Sequence, residues 1–138
     1  MKPGLDLARV LVVDDDPAAR LTLQTVLEAG GYRVDSAATA AEAVEKLEDE
    51  EYELVLSDMQ MESPEAGLKV LAHAQIMDYQ PATALVTTWH DCESPRRGTR
   101  GNVLIKPEDL PELLSTVATL IARRASRRVQ RGLRQSRN

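Results

Sequence analysis

Phenylalanine is absent from this 138-residue chain, and one tryptophan and three tyrosines are its only aromatics. Any core must therefore be assembled from Leu, Val, Ile and Ala. A single cysteine, Cys92, rules out an internal disulfide and every metal site built from several thiolates, and a reducing cytosol is the simplest setting for it. No apolar run approaches the roughly 20 residues needed to span a bilayer. The segment from Met1 to Arg9 also lacks the apolar stretch of a secretory signal. A soluble, cytoplasmic protein is expected. Acidic residues are missing altogether after Glu112: ten basic residues stand against all 22 acidic ones up to that point, a net −12 over residues 1–112. Beyond it come only Arg123, Arg124, Arg127, Arg128, Arg131, Arg134 and Arg137, a net +7. Such a body is not a nucleic-acid-binding domain as a whole, and only the tail has the charge for that part.

The length fits one domain able to bury a core without staples. Apolar runs alternate with amphipathic segments in a βαβα rhythm, which predicts a parallel sheet covered by helices on both faces. Arg9 to Val13 is continuous in aliphatic residues, as a strand buried on both faces should be. Asp16 is placed to cap a helix starting at Pro17, and Gly30-Gly31 to end it near residue 29. Tyr32 to Ala37 reads as a second strand. Thr39 with Glu42 makes a capping-box pattern for a helix over 40–49. Tyr52 to Ser57 is a third strand stopping at Asp58, and the loop Met59 to Glu65 leads to a helix over about 66–77. Ala82 to Thr87 is a fourth strand. The segment 90–101 holds Pro95, Gly98 and Gly101, so an irregular or shortened helix is expected there. Asn102 to Ile105 makes a short fifth strand. A last helix from Glu108 carries Leu110, Leu113, Leu114, Val117, Leu120 and Ile121 on its apolar side. Past about Ser126 almost nothing remains to bury, and fraying or disorder is expected.

In open parallel sheets, ligands bind outside the carboxyl ends of the strands. This sequence places Asp14, Asp15 and Asp16 after strand one, Asp58 after strand three, Thr87 and Thr88 after strand four, and Lys106 after strand five. The first of these junctions has no Gly, Ser or Thr to cradle a flavin or nucleotide phosphate, and three aspartates repel bare phosphate. Clustered carboxylates stay ionised together only when a cation joins them. Oxygen donors without His or Cys select Mg²⁺ or Mn²⁺ rather than zinc. The metal and Lys106 would offset the charge of a phosphorylated carboxylate, and the Thr87 hydroxyl would donate to one of its oxygens. Phosphoryl transfer to an aspartate is the reaction class that follows. Asp14 to Asp16 alone fits a solvated helix start equally well; its register with Asp58 and Lys106 makes it a candidate site. His73 reads as a surface residue and Cys92 as a loop thiol.

Val10-Leu11-Val12-Val13-Asp14-Asp15-Asp16, Leu54-Val55-Leu56-Ser57-Asp58-Met59, Leu85-Val86-Thr87 and Leu104-Ile105-Lys106-Pro107 resemble, in order, the four signatures of CheY-like response-regulator receiver domains. The resemblance covers about residues 8–122, leaving a leader over 1–7 and an Arg-rich tail or helix extension over 123–138. It implies a flavodoxin-like five-stranded parallel sheet in the order 2-1-3-4-5. It further implies Asp58 as phospho-acceptor, Asp15 as a direct Mg²⁺ ligand, Asp14 helping mostly through water, and the backbone carbonyl of Gln60 as a further ligand. Thr87 would be the switch hydroxyl and Lys106 the phosphoryl partner, with the Lys106-Pro107 bond usually cis in the family. The implied donor is the phosphohistidine of a sensor histidine kinase or phosphotransfer protein, or a small acyl phosphate. The implied output is an altered contact with a downstream protein or a homodimer. Catalysis is limited to self-phosphorylation and self-dephosphorylation.

Three positions depart from the family pattern. Thr88 stands where Ala or Gly is common, and its β-branch is expected to slow traffic to Asp58. Val103 replaces an aromatic that rotates inward on activation, leaving Trp89 or His90 as substitutes. Met61-Glu62-Ser63-Pro64 stands where Met-Pro is usual. Two other functions compete. A degenerate pseudo-receiver would act only as an interaction module. A small phosphatase of the haloacid-dehalogenase type would use the Asp14-Asp15-Asp16 spacing, although Ala18 falls where that family has Thr or Val. The Arg-rich tail reads first as a solvated extension, and more sharply as a docking arm for an acidic partner, a membrane or nucleic acid.

Overall fold

Alternation along the strands decides how this chain folds. The computed structural model describes residues 8–58, 65–86, 103–105 and 110–136. In chain order the elements are β1 (Arg9–Val13), α1 (Pro17–Ala29), β2 (Arg33–Ala37), α2 (Ala40–Asp49), β3 (Leu54–Asp58), α3 (Ala66–Gln75), β4 (Ala82–Val86), β5 (Val103–Ile105) and α4 (Leu110–Ser136). All pairings are parallel, and the sheet order is β2-β1-β3-β4-β5, as expected. The segment 90–101 lies outside the described residues.

Successive side chains of a strand point to opposite faces, so β1 feeds two separate cores. Leu11 and Val13 join Val55, Leu85, Ala43, Leu47, Val70 and Leu71 on the face covered by α2 and α3. Val10 and Val12 join Leu54, Leu56, Ala84, Leu23, Leu27, Leu113, Val117 and Leu120 on the face covered by α1 and α4. Tyr52 and Tyr79 reach bulk into the first layer, each with its hydroxyl partnered. Tyr52 donates to Asp35 Oδ2 at 2.7 Å, and Tyr79 donates to the Leu47 carbonyl at 2.7 Å. Burial holds the Tyr79 phenol up at about 12.

The helix boundaries follow local chemistry. Asp16 Oδ1 accepts from the Ala18 N–H at 3.1 Å, with Pro17 in the first turn where its missing donor costs nothing. At the other end Gly31 takes φ 100°, while the Tyr32 N–H reaches the Leu27 carbonyl and the Gly31 N–H that of Glu28. That Schellman closure occupies Tyr32, so β2 starts one residue later than its sequence suggests. Thr39 Oγ1 accepts from the Glu42 N–H at 3.1 Å, and Glu42 Oε1 accepts from the Ala38 N–H at 2.6 Å, a capping box displaced by one residue. α3 stops at Gln75 rather than Met77, because the Ile76 and Met77 N–H groups turn back to the His73 and Ala74 carbonyls in a tightened final turn. His73 is half-buried rather than a free surface residue. Its Nε2 lies 3.2 Å from Glu48 Oε2 of α2, though not aligned as a hydrogen bond.

The largest departure is α4, which runs unbroken to Ser136 where fraying was expected from Ser126. Lack of burial misled the expectation. Arg, Gln, Ala and Leu are strong helix formers. The stem packed on the sheet has already met the nucleation cost, so each further residue adds a bond to an existing helix. Cationic side chains near the C-terminus also complement the helix dipole. Arg124 belongs to the fold rather than to a solvated tail. It is 5 % exposed, and its Nε and Nη2 donate to the Gln80 and Tyr79 carbonyls at 3.0 and 2.6 Å. This ties α4 to the turn before β4, where Gln80 holds a left-handed φ of 44°.

Candidate metal centre

β1 and β3 are hydrogen-bonded neighbours in the sheet, with Val13 opposite Ser57. Their carboxyl ends therefore deliver Asp14, Asp15 and Asp58 to one spot. One carboxylate oxygen from each lies within 4.8 Å of the other two, a spacing that a single cation can bridge. Asp14 is buried, Asp15 exposed and Asp58 between them, so the cluster opens to solvent on one side. Among the described residues no other group of three His, Cys, Asp or Glu comes together in this way.

Backbone contacts fix the geometry. The Asp14 N–H bonds to the Ala37 carbonyl at 3.1 Å, which extends the β1–β2 ladder one step past the strand. Arg20 of α1 donates from Nη1 to the Asp14 carbonyl at 2.8 Å, and Asp14 Oδ1 accepts from the Asp16 N–H at 2.9 Å. Asp16 faces the other way, into its capping bond, and is no part of the cluster. On the β3 side, Gly67 in the first turn of α3 packs directly on the Asp58 backbone. A Cβ there would fall well under 3.0 Å from the Asp58 carbonyl oxygen and 3.3 Å from Ser57 Oγ. The missing side chain thus lets a helix approach the strand tip.

Electrostatically the cluster is strained without a cation. Burial, together with the charges of Asp15 and Asp16, pushes the Asp14 carboxyl above its ordinary 3.8. The bonds from the Asp16 N–H and to Asp58 offset only part of that. Three hard oxygen donors, partly solvated, suit an ion such as Mg²⁺ that keeps water and takes few carboxylates. The residues present fit that group.

Gln60, Thr87 and Lys106, the remaining candidates, lie outside the described residues, as do Thr88, Trp89, His90, Cys92 and the Lys106-Pro107 bond. Sequence reasoning passed over Arg20 and Gly67. Nothing in the sequence marks Arg20, but a glycine in the first turn of a helix, where it lowers helix propensity, is a signal for close approach.

Residues 10–118 match the response regulator receiver domain. The chain belongs to that family. It is a receiver domain of the kind that response regulators use in two-component signalling. Among curated relatives, the receiver is 28% identical over 116 residues to the transcriptional regulatory protein ZraR of Klebsiella oxytoca, covering 82% of this chain and 26% of that protein. To the transcriptional regulatory protein PrrA of Mycobacterium tuberculosis it is 28% identical over 129 residues, covering 91% of this chain and 55% of that protein. It thus spans from about a quarter to about half the length of these relatives. The response regulator TrrA of Thermotoga maritima, solved in complex with Mg²⁺-BeF, superposes with a TM-score of 0.65 at 26% identity over 83% of this chain and 99% of that one. The match embraces both the Asp14 and the Asp58 motifs, which sets aside the haloacid-dehalogenase alternative. No helix among the described residues is long and apolar enough to cross a membrane.

Proposed function

We propose that this receiver takes a phosphoryl group on Asp58 in a Mg²⁺-dependent reaction, with Mn²⁺ as an alternative ion, and passes the signal through altered protein contacts. The observation that carries the reading is the convergence of the Asp14, Asp15 and Asp58 carboxylates within 4.8 Å at neighbouring strand ends. The Mg²⁺-BeF complex of TrrA supports it by likeness.

Asp15 and Asp58 would hold the ion directly, with Asp14 acting mostly through water and the Gln60 carbonyl completing the protein donors. When bound, the ion would supply positive charge to offset that of the carboxylates and the incoming phosphoryl group. An Asp58 oxygen attacks phosphorus in line, the bond from phosphorus to the donor nitrogen or acyl oxygen breaks, and the leaving group departs with that electron pair. Lys106 pairs with the phosphoryl oxygens, and the Thr87 hydroxyl donates a hydrogen bond to one of them. Arg20 and Gly67 touch no reacting atom. They are positioning residues that fix the backbone from which Asp14 and Asp58 project. The donor is the phosphohistidine of a sensor histidine kinase or phosphotransfer protein, or a small acyl phosphate. A downstream protein or a homodimer reads the result.

The test is acetyl phosphate with Mg²⁺, read by intact mass. Wild type should gain one phosphoryl group, whereas Asp58→Asn and wild type in EDTA should gain none. Label on Asp14 instead of Asp58 would overturn the assignment. A folded protein that binds neither Mg²⁺ nor beryllium fluoride would favour the pseudo-receiver.

A further inference from the structure

Beyond Arg124, α4 continues for 12 residues to Ser136, a projection of about 18 Å at 1.5 Å per residue. Arg123 beside the anchor, and Arg127 and Val129 along the projection, are exposed. Parallel strands carry the acidic cluster at their carboxyl ends, while Arg124 is pinned to the turn before β4, at the opposite end of the sheet. The projection therefore leads away from the acidic site. Its far end lies about two Debye lengths from the Arg124 anchor at physiological salt.

At 100° per residue, positions 123, 127, 128, 131 and 134 fall within an arc of about 140° on the helix. All five are Arg and none is Lys. The planar guanidinium fork matches phosphate oxygens bidentately and is the usual choice for nucleic-acid backbones. The opposite arc, around Ala122, Val129 and Leu133, has no aromatic residue and little bulk. It is too thin to seat a helix in a lipid interface, where Trp, Phe and Leu normally do the anchoring. A helix of about 10–12 Å diameter fits the roughly 12 Å major groove of B-form DNA, whereas the deep, narrow major groove of A-form RNA does not admit side chains.

We propose that the Arg-rich projection of α4 binds duplex DNA, laying its basic face against the phosphates that line the major groove. This goes beyond the Asp58 reading and needs no phosphorylation.

The full chain is titrated against a short fluorescent DNA duplex of arbitrary sequence, followed by anisotropy, with anionic and zwitterionic phospholipid vesicles and sedimentation of the protein alone in parallel. Five phosphate contacts predict a salt slope near −4.5, or about a 500-fold loss of affinity between 50 and 200 mM salt. Replacing three arginines by glutamine (R127Q, R131Q and R134Q) keeps helix propensity and leaves two contacts, so the loss shrinks to about 12-fold. The same three positions as lysine should keep the steep slope, and circular dichroism checks that both variants retain the helix. No anisotropy change at 50 mM salt would overturn the proposal. So would tighter binding to anionic vesicles than to DNA, or a glutamine variant that binds like wild type. Salt-sensitive self-association without DNA binding would assign the projection to a second copy's acidic body instead.

Discussion

Adding one methyl group at Gly67 tests whether the approach of α3 to Asp58 matters. By helix propensity alone, Gly67→Ala should stabilise α3 by about 1 kcal/mol. Contact geometry predicts the reverse. The new Cβ would press on the Asp58 carbonyl oxygen well under 3.0 Å away, with Ser57 Oγ at 3.3 Å on its flank. Neither neighbour is the free end of a flexible chain: one is backbone, and Ser57 is fully buried. Overpacking of this kind costs typically about 1–3 kcal/mol. The net expectation is a loss of up to about 2 kcal/mol, which for a domain of this length lowers Tm by up to roughly 7 °C. To restore ordinary contact, the strand tip or the helix must move by about 1 Å. Since a misplacement of about 1 Å can cost 100-fold in rate, such a shift should slow phosphorylation by acetyl phosphate by up to about 100-fold. Calorimetry and a mass-resolved time course read the two effects. A variant that melts at or above the wild-type temperature and labels at the wild-type rate would refute the reasoning.

Arg124→Met keeps apolar bulk but removes two charge-assisted bonds to the Tyr79 and Gln80 carbonyls, and should cost about 2–4 kcal/mol in urea unfolding; a change within 0.5 kcal/mol of wild type, roughly the spread of surface substitutions, would mean α4 is not anchored there. Burial raises the Asp14 carboxyl above 3.8, so in EDTA the stability linked to this group is complete below that value and is lost as pH rises through the higher folded-state pKa. Asp14→Asn should therefore flatten the pH dependence of Tm, melt higher than wild type at pH 7 in EDTA, and gain less from added Mg²⁺. Tyr52→Phe loses the bond to Asp35 and should cost about 1 kcal/mol by chemical denaturation, leaving Mg²⁺ affinity unchanged. Thr88→Ala should speed phosphorylation or dephosphorylation of Asp58, and identical time courses would remove the idea that the β-branch narrows the approach.

Most of the fold was legible because its signals are local and mutually consistent. The run from Val10 to Val13 announces a strand buried on both faces, Asp16-Pro17 and Thr39 with Glu42 announce helix starts, and Gly30-Gly31 announces a stop. The acidic cluster was legible for a topological reason: parallel strands bring their carboxyl ends to one edge, so Asp14, Asp15 and Asp58 had to converge if the strands paired in the expected order. What stayed hidden depends on contacts distant in sequence. Arg124 looked like one more arginine in a basic tail because its partners are the backbone carbonyls of residues 79 and 80, which leave no mark in the sequence. Arg20 likewise grips a carbonyl rather than a complementary side chain. The extent of α4 was misjudged because burial was taken as a condition for order, whereas a helix already seeded on the sheet extends on propensity alone.

The Arg124 anchor makes α4 a lever. From Leu110, at the end of the sheet that carries the acidic cluster, to the pinned arginine is about 21 Å, and from that pivot to Ser136 about 18 Å. A tilt imposed on the near end, around the fulcrum that Tyr79 and Gln80 provide, swings the far end in the opposite direction through almost the same distance. A displacement of the helix at one pole of the molecule would thus reach the other nearly undiminished, with Leu113, Val117 and Leu120 sliding over the sheet between them.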